Sequence, residues 1–144
     1  MRPFHLAFPV NNLPKTKLFY HEFLLCPMGR TNEKWLDFDF FGNQITAHLK
    51  PEECVSAKTN GVDGDQVPVR HFGAILMWNG WEELAGKVID SPYNFLIEPK
   101  IRFKGKTGEQ GTFFLEDPSG NALEFKTFKN EKMLFRNGID DDYS

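Results

Sequence analysis

Only two cysteines, Cys26 and Cys54, occur among the 144 residues, and they lack the spacing of a metal-binding pair. That excludes a disulfide scaffold and a thiolate cluster, and it suits reduced thiols in a cytoplasmic protein. Long apolar runs are missing too. Arg2, Lys15 and Lys17 interrupt the one apolar stretch near the start, so neither a signal peptide nor a membrane span is expected. No long basic run is present and the formal net charge is −3, which makes nucleic acid and anionic membranes poor partners. Aromatic residues are what the chain has in quantity, at 15% with fifteen Phe. These supply apolar surface for strands and for a lined pocket. The length predicts one domain that can bury a core without a structural metal. Any metal would therefore serve chemistry.

Hydrophobic period and turn residues predict a strand at 3–10, then a helix from Leu13 to Leu25 capped by Asn11-Asn12 and turning Leu18, Phe19, Phe23 and Leu24 to a sheet. Strands at Met28–Arg30, Trp35–Phe41 and Gln44–Lys50 follow, the last two joined by a Gly42-Asn43 turn. Residues 51–68 are polar and rich in Gly, Pro and Asp, and read as a connector. The order then restarts: a strand at Val69–Trp78, a helix at Trp81–Ile89 capped by Asn79, and strands at Phe95–Pro99, Gly111–Glu116 and Ala122–Phe128. Two βαβββ units in succession imply a paired sheet structure. The tail from Asn130 is expected to form a short helix and then solvated residues ending in Asp140-Asp141-Asp142.

Each unit opens with a histidine in an apolar run, His5 in Phe4-His5-Leu6-Ala7-Phe8 and His71 in Arg70-His71-Phe72-Gly73-Ala74. The last strand carries Glu124. Alternate residues of a strand share a face, so His5, His71 and Glu124 all point away from the helices. A lone histidine near a strand end is ordinarily a hydrogen-bonded surface residue. Two at matching places in a repeat, with a carboxylate of the same parity, form the ligand set of a mononuclear metal site with open positions. Aligning the two Gly-Asn turns places Thr46 where the other unit has Glu124. His48 lies two residues further on the same face, as a fourth ligand or an acid/base.

The repeat, the His5 and His71 openings and the run Glu116-Asp117-Pro118-Ser119-Gly120-Asn121-Ala122-Leu123-Glu124 resemble the vicinal oxygen chelate superfamily of glyoxalases, bleomycin and fosfomycin resistance proteins and extradiol dioxygenases. The likeness spans 1–128 and is greatest to small extradiol-dioxygenase-like proteins. It implies an α+β fold in which two βαβββ modules, at about 3–50 and 69–128, form one incomplete barrel-like metal-binding cup, with 129–144 as a tail. It also implies His5, His71 and Glu124 as ligands of a divalent metal, with Fe(II) favoured and Zn, Mn or Ni possible, and a homodimer. Where extradiol enzymes carry a tyrosine before the final glutamate, this chain has Thr112, Phe113 and Phe114.

The implied activity is that of a metal-dependent, dioxygenase-like enzyme acting on a small aromatic diol, with His48 as acid/base. Thr46, Arg102 and Lys104 would contact substrate, the last two meeting an acidic substituent from a mobile loop at 101–110. Two alternatives stand beside it. One is a glyoxalase-type isomerase, lyase or transferase using a redox-silent metal. The other is a ligand-sequestering protein without turnover, which would keep the aromatic lining but need no ligand triad.

Overall fold

The computed structural model describes residues 1–55, 59–62 and 65–137. The first module contains β1 (His5–Val10), α1 (Leu13–Lys17), β2 (Met28–Thr31), β3 (Trp35–Phe40) and β4 (Asn43–Leu49). Its sheet runs β1-β4-β3-β2, with β1 parallel to β4 and the other pairs antiparallel. Strands β5 (Thr59–Val62) and β6 (Asp65–Pro68) then form a small antiparallel ladder. The second module repeats the first: β7 (Phe72–Leu76), α2 (Trp78–Ile89), β8 (Phe95–Arg102), β9 (Gln110–Glu116) and β10 (Ala122–Phe128), in the order β7-β10-β9-β8. This is the α+β architecture expected from the repeat. The two four-stranded mixed sheets are separate, and neither closes into a barrel.

The chain divides into two compact units that do not follow the modules cleanly. Asp117–Asn121, the turn between β9 and β10, belongs with the first module. Tyr20 Oη donates to Asp117 Oδ2 at 2.8 Å, Asn11 N–H donates to Ser119 Oγ at 2.9 Å, and Asn121 Nδ2 donates to Pro9 O at 3.0 Å. Asp117 Oδ1 accepts the backbone N–H of Ser119 and Asn121. Burial pushes its carboxyl above the ordinary 3.8, against the downward pull of the bonds from Asn121, Tyr20 and Ser119. Tyr20 is wholly buried beside Phe8, Phe19 and Phe38.

The first helix departs from expectation. Asn12 does cap it, accepting Lys15 N–H at 2.9 Å, but the α-helix stops at Lys17 and continues as a wider π-helical segment over Leu18–Phe23. Widening changes the angular period, so Leu18 turns out to solvent and Tyr20 turns into the core. The second helix begins at Trp78 rather than Trp81, with Asn79 inside it and no side-chain cap. Trp78 Nε1 donates to Glu82 one turn on, which secures that first turn. Trp81 Nε1 donates to Phe125 O at 2.9 Å, fixing α2 on the sheet face that holds Phe113 and Phe125.

The connector contains a ladder that its polarity concealed. β8 runs to Arg102, past the expected stop at Pro99. Pro99 is tolerated because β8 is an edge strand and its ladder shifts register between Ile97 and Lys100. The tail forms a 3-10 turn at Glu131–Met133, and Asp140 to Asp142 lie outside the described residues. No described helix is long and apolar enough to cross a membrane.

Candidate metal centre

In the second module, parallel pairing of β7 and β10 sets Glu124 opposite Gly73 and Leu123 opposite Phe72. His71, immediately before β7, thereby falls beside the start of β10. Gly73 is required there: a Cβ at this position would lie 1.6 Å from the carbonyl oxygen of Glu124. The absent side chain lets the two strands approach at the candidate site.

His71 Nδ1 lies 2.6 Å from Pro68 O, a partner that can only accept, so Nδ1 carries the proton. In the neutral ring, Nε2 then presents its lone pair toward Glu124 Oε1 at 3.5 Å. Glu124 Oε2 accepts from Thr112 Oγ1 at 2.8 Å, and the imidazole stands edge-on to Phe114. Two acceptors facing one another require a cation, either a proton on Nε2 or a metal ion.

The electrostatics agree. Glu124 raises the His71 pKa above 6.5 through their hydrogen bond, against the opposing effect of burial. Burial pushes the Glu124 carboxyl up, but His71, Thr112 and the Lys126 charge outweigh it and leave the group below 4.5. Both shifts are those of an imidazolium–carboxylate pair. A divalent ion also fits by size: two bonds of about 2.1 Å meeting at 90–110° span roughly 3.0–3.4 Å, close to the observed separation. A histidine whose far nitrogen donates to a carbonyl is the usual support for a metal ligand.

In the first module, His5 opens β1 as an exposed residue paired with Gln44. Register puts His5, Ala7 and Pro9 on one face with Gln44, Thr46 and His48, and with Asp39, Asp37 and Trp35 of β3. An open cavity of about 530 Å³ at the His5 end is lined by Arg30, Asp37, Asp39, Asn43 and Gln44 among others. Thr46 is buried and donates to Asp37 Oδ1. His48 is exposed at the opposite end, across from Pro9, four strand positions or roughly 13 Å from the His5 level.

The structure thus brings His71 and Glu124 together, whereas His5, Thr46 and His48 share a face of the first sheet at different levels. Among the described residues, no three His, Cys, Asp or Glu side chains gather as a metal-ligating group. Arg102 ends β8 and is half-buried, and Lys104 is exposed in the following turn. That turn is tied by its own bonds, with Gly105 N–H donating to Glu109 Oε1 and Lys129 N–H to Glu109 O. Asp37 was missed from the sequence. It is a buried carboxylate on the open face, and the alternation Trp35-Leu36-Asp37-Phe38 was enough to place it level with Thr46.

No protein-family model matches the chain, and no curated protein matches it. Among solved structures, a glyoxalase/bleomycin resistance protein/dioxygenase from Alicyclobacillus acidocaldarius is 31% identical, with a TM-score of 0.72 over 92% of this chain and 96% of that one. The fosfomycin resistance protein FosX of Listeria monocytogenes shares the fold at 13% identity, with a TM-score of 0.69 over 90% of this chain and 94% of its own. A glyoxalase/dioxygenase from Nostoc punctiforme does so at 15% identity, with a TM-score of 0.64 over 88% and 90%. The chain belongs to the glyoxalase/bleomycin resistance/dioxygenase family, within the vicinal oxygen chelate superfamily. That membership spans several reactions, so the chemistry must be argued from the site.

Proposed function

We propose that the protein is a metal-dependent enzyme of the extradiol dioxygenase type, acting on a small aromatic diol. The observation that carries this reading is the Nε2 lone pair of His71, facing Glu124 at 3.5 Å with Nδ1 tied to Pro68. His71, Glu124 and His5 would hold the ion, with Fe(II) favoured and Zn, Mn or Ni the alternatives. When bound, iron in such a three-ligand site supplies adjacent open positions for a diol and dioxygen.

The chain's own groups have the remaining roles. Pro68 O fixes the tautomer of His71, and Thr112 orients Glu124 through Oε2. Phe114 closes off one edge of the imidazole. A diol needs a base for its protons, and the first sheet offers two groups able to accept them. One is His48, and the other is Asp37, which lies two strand positions from the His5 level through its pairing with Thr46. Arg102 and Lys104 would meet a substituent of the substrate. The proposal includes a homodimer in the cytoplasm.

Asp37 specifically favours a second reading. A glyoxalase-type enzyme needs a carboxylate on the fourth strand, where this chain has Thr46; Asp37 offers one on the neighbouring strand, hydrogen-bonded to that threonine. With a redox-silent metal supplying positive charge, Asp37 would accept a proton from the substrate and oxygen would not be consumed.

Metal analysis of protein purified without chelator tests the proposal. Near-stoichiometric divalent metal is expected, falling at least about tenfold in His71→Ala and Glu124→Ala, since even outer partners of ligands carry that much. Oxygen uptake with a catechol panel after anaerobic iron loading supports the dioxygenase. Turnover without oxygen uptake supports the second reading. Native protein that holds no metal, takes none up and still binds an aromatic dye would instead be a sequestering protein.

A further inference from the structure

The open cavity of about 530 Å³ in the first module is lined only by residues between 3 and 44, and its volume suits a small organic molecule. Its walls carry two carboxylates. Asp39 stands level with His5 and Gln44, and Asp37 lies two strand positions further, level with Thr46. Gly29 of β2 borders Asp37 with no side chain of its own; a Cβ there would stand 3.1 Å from that of Asp37. The space beside the carboxylate thus stays open.

Asp37 is 8% exposed, and its Oδ1 accepts from the Thr46 hydroxyl. Oδ2 has no protein donor among the described residues. Since no buried side-chain oxygen among those residues lacks a partner, Oδ2 is reached from outside, through the cavity that Asp37 lines. Asp39 accepts Gly42 N–H on Oδ1 at 2.8 Å, and its other oxygen has no protein donor. Arg30 also lines the cavity, but its guanidinium lies over the Trp35 ring at 5.8 Å and pairs with neither carboxylate. A carboxylate held out of bulk water gains most from a donor that carries positive charge. The cavity is far larger than an ion and the exposed Phe4 ring gives it an apolar wall, which suits an organic cation over a bare metal.

We infer that this cavity binds a small organic cation, whose ammonium donates to Asp37 Oδ2, Asp39 and the Gln44 side-chain carbonyl while its carbon skeleton lies against Phe4. An ammonium has three N–H donors, one for each of those acceptors. Gln44 lines the cavity and its side chain has no bond of its own, so it is free to serve. The inference goes beyond the metal reading and uses no group of the second module. An Asp37 so occupied leaves His48 to accept the protons of a diol.

Benzylamine and benzyl alcohol share one skeleton and differ in the ammonium, so titrating each into the full chain at neutral pH, followed by amide NMR shifts, isolates the charge. Benzylamine should bind at least about tenfold more tightly, as a hydrogen bond to a charged group implies, with the largest shifts at Gly29, Asp39 and Gln44. The preference should shrink between about 0.05 and 0.5 M salt as the charges are screened. Asp37→Asn keeps an oxygen for Thr46 and should abolish the preference. Asp39→Asn, at an exposed position that folding tolerates, should cut it by about threefold, and it carries the test alone if the first variant does not fold. Equal binding of amine and alcohol, no benzylamine binding up to about 20 mM, shifts confined to residues outside the cavity, or a preference that either substitution leaves unchanged in folded protein would overturn the inference.

Discussion

Replacing Tyr20 by phenylalanine removes one hydrogen bond and spares the surrounding packing, because the ring keeps its contacts with Phe8, Phe19 and Phe38. The lost bond is the one from the buried hydroxyl to Asp117 Oδ2 at 2.8 Å. Asp117 is only 4% exposed, so water cannot readily replace the missing donor. A hydrogen bond to a charged group contributes about 1.5–3 kcal/mol. For a chain of this size that predicts a fall in Tm of roughly 5–10 °C, read by circular dichroism, with a lower urea midpoint and an unchanged m value.

The pH dependence of the loss gives a sharper check. Tyr20 is one of the groups holding the Asp117 pKa down, so its removal raises the folded-state value further. An acid whose folded pKa lies above its unfolded one costs stability as pH rises through that window, and the cost disappears once the group is protonated in both states. The Tyr20→Phe penalty should therefore be full at neutral pH and shrink as pH falls through the raised Asp117 value. In an Asp117→Asn background it should be smaller at neutral pH, since the charge is gone. A penalty under about 0.3 kcal/mol, or one that is the same at every pH and in both backgrounds, would refute a stabilising bond from Tyr20 to Asp117.

Other outcomes are equally specific. Gly73→Ala should destabilise by about 3 kcal/mol or more, or prevent folding, because its Cβ meets the Glu124 carbonyl oxygen at 1.6 Å and backbone must move; a melt within 2 °C of wild type would refute the close approach. In metal-free protein, the raised His71 pKa gives stability that is full below 6.5 and lost as pH rises through the folded value. The lowered Glu124 pKa gives stability present above 4.5 and lost as pH falls through its folded value. The pair should thus stabilise most between about 4.5 and 6.5, and the Tm difference between wild type and His71→Ala should narrow from pH 6 to pH 9. Burial, reinforced by the nearby Asp39 charge, pushes the Cys26 thiol up to about 12, whereas Cys54 is partly exposed. A disulfide exchange reagent should label one thiol in native protein and two after unfolding; rapid labelling of both would contradict the buried position of Cys26.

Much of the fold was legible because alternation and turn residues act locally. The two βαβββ modules, the placement of Glu124 opposite the helix-covered face and the cap at Asn12 all follow from neighbours within a few residues. The errors arise where local period and final packing diverge. Leu18, expected toward the sheet, is exposed, and Tyr20 fills the core beside Phe19, because a π-helical widening changes the angle between successive side chains. Arg102 moved from loop to strand because an edge position admits Pro99. The pairing of Thr59–Val62 with Asp65–Pro68 lies in a segment whose polar composition carries little apolar alternation.

By itself the sequence determined which residues face the same way, since strand parity is set by the backbone of each strand alone. On that ground it set His71 and Glu124 on one face as candidate ligands. Only the tertiary structure decided how far each strand slides against its neighbour. That sliding sets His71 Nε2 3.5 Å from Glu124 and draws Tyr20 to an aspartate 97 positions away. Register is decided by packing of whole elements, through the missing Cβ of Gly73, the anchoring of Trp81 on Phe125 and the buried Asp117 turn, and no window of a few residues contains all of those contacts.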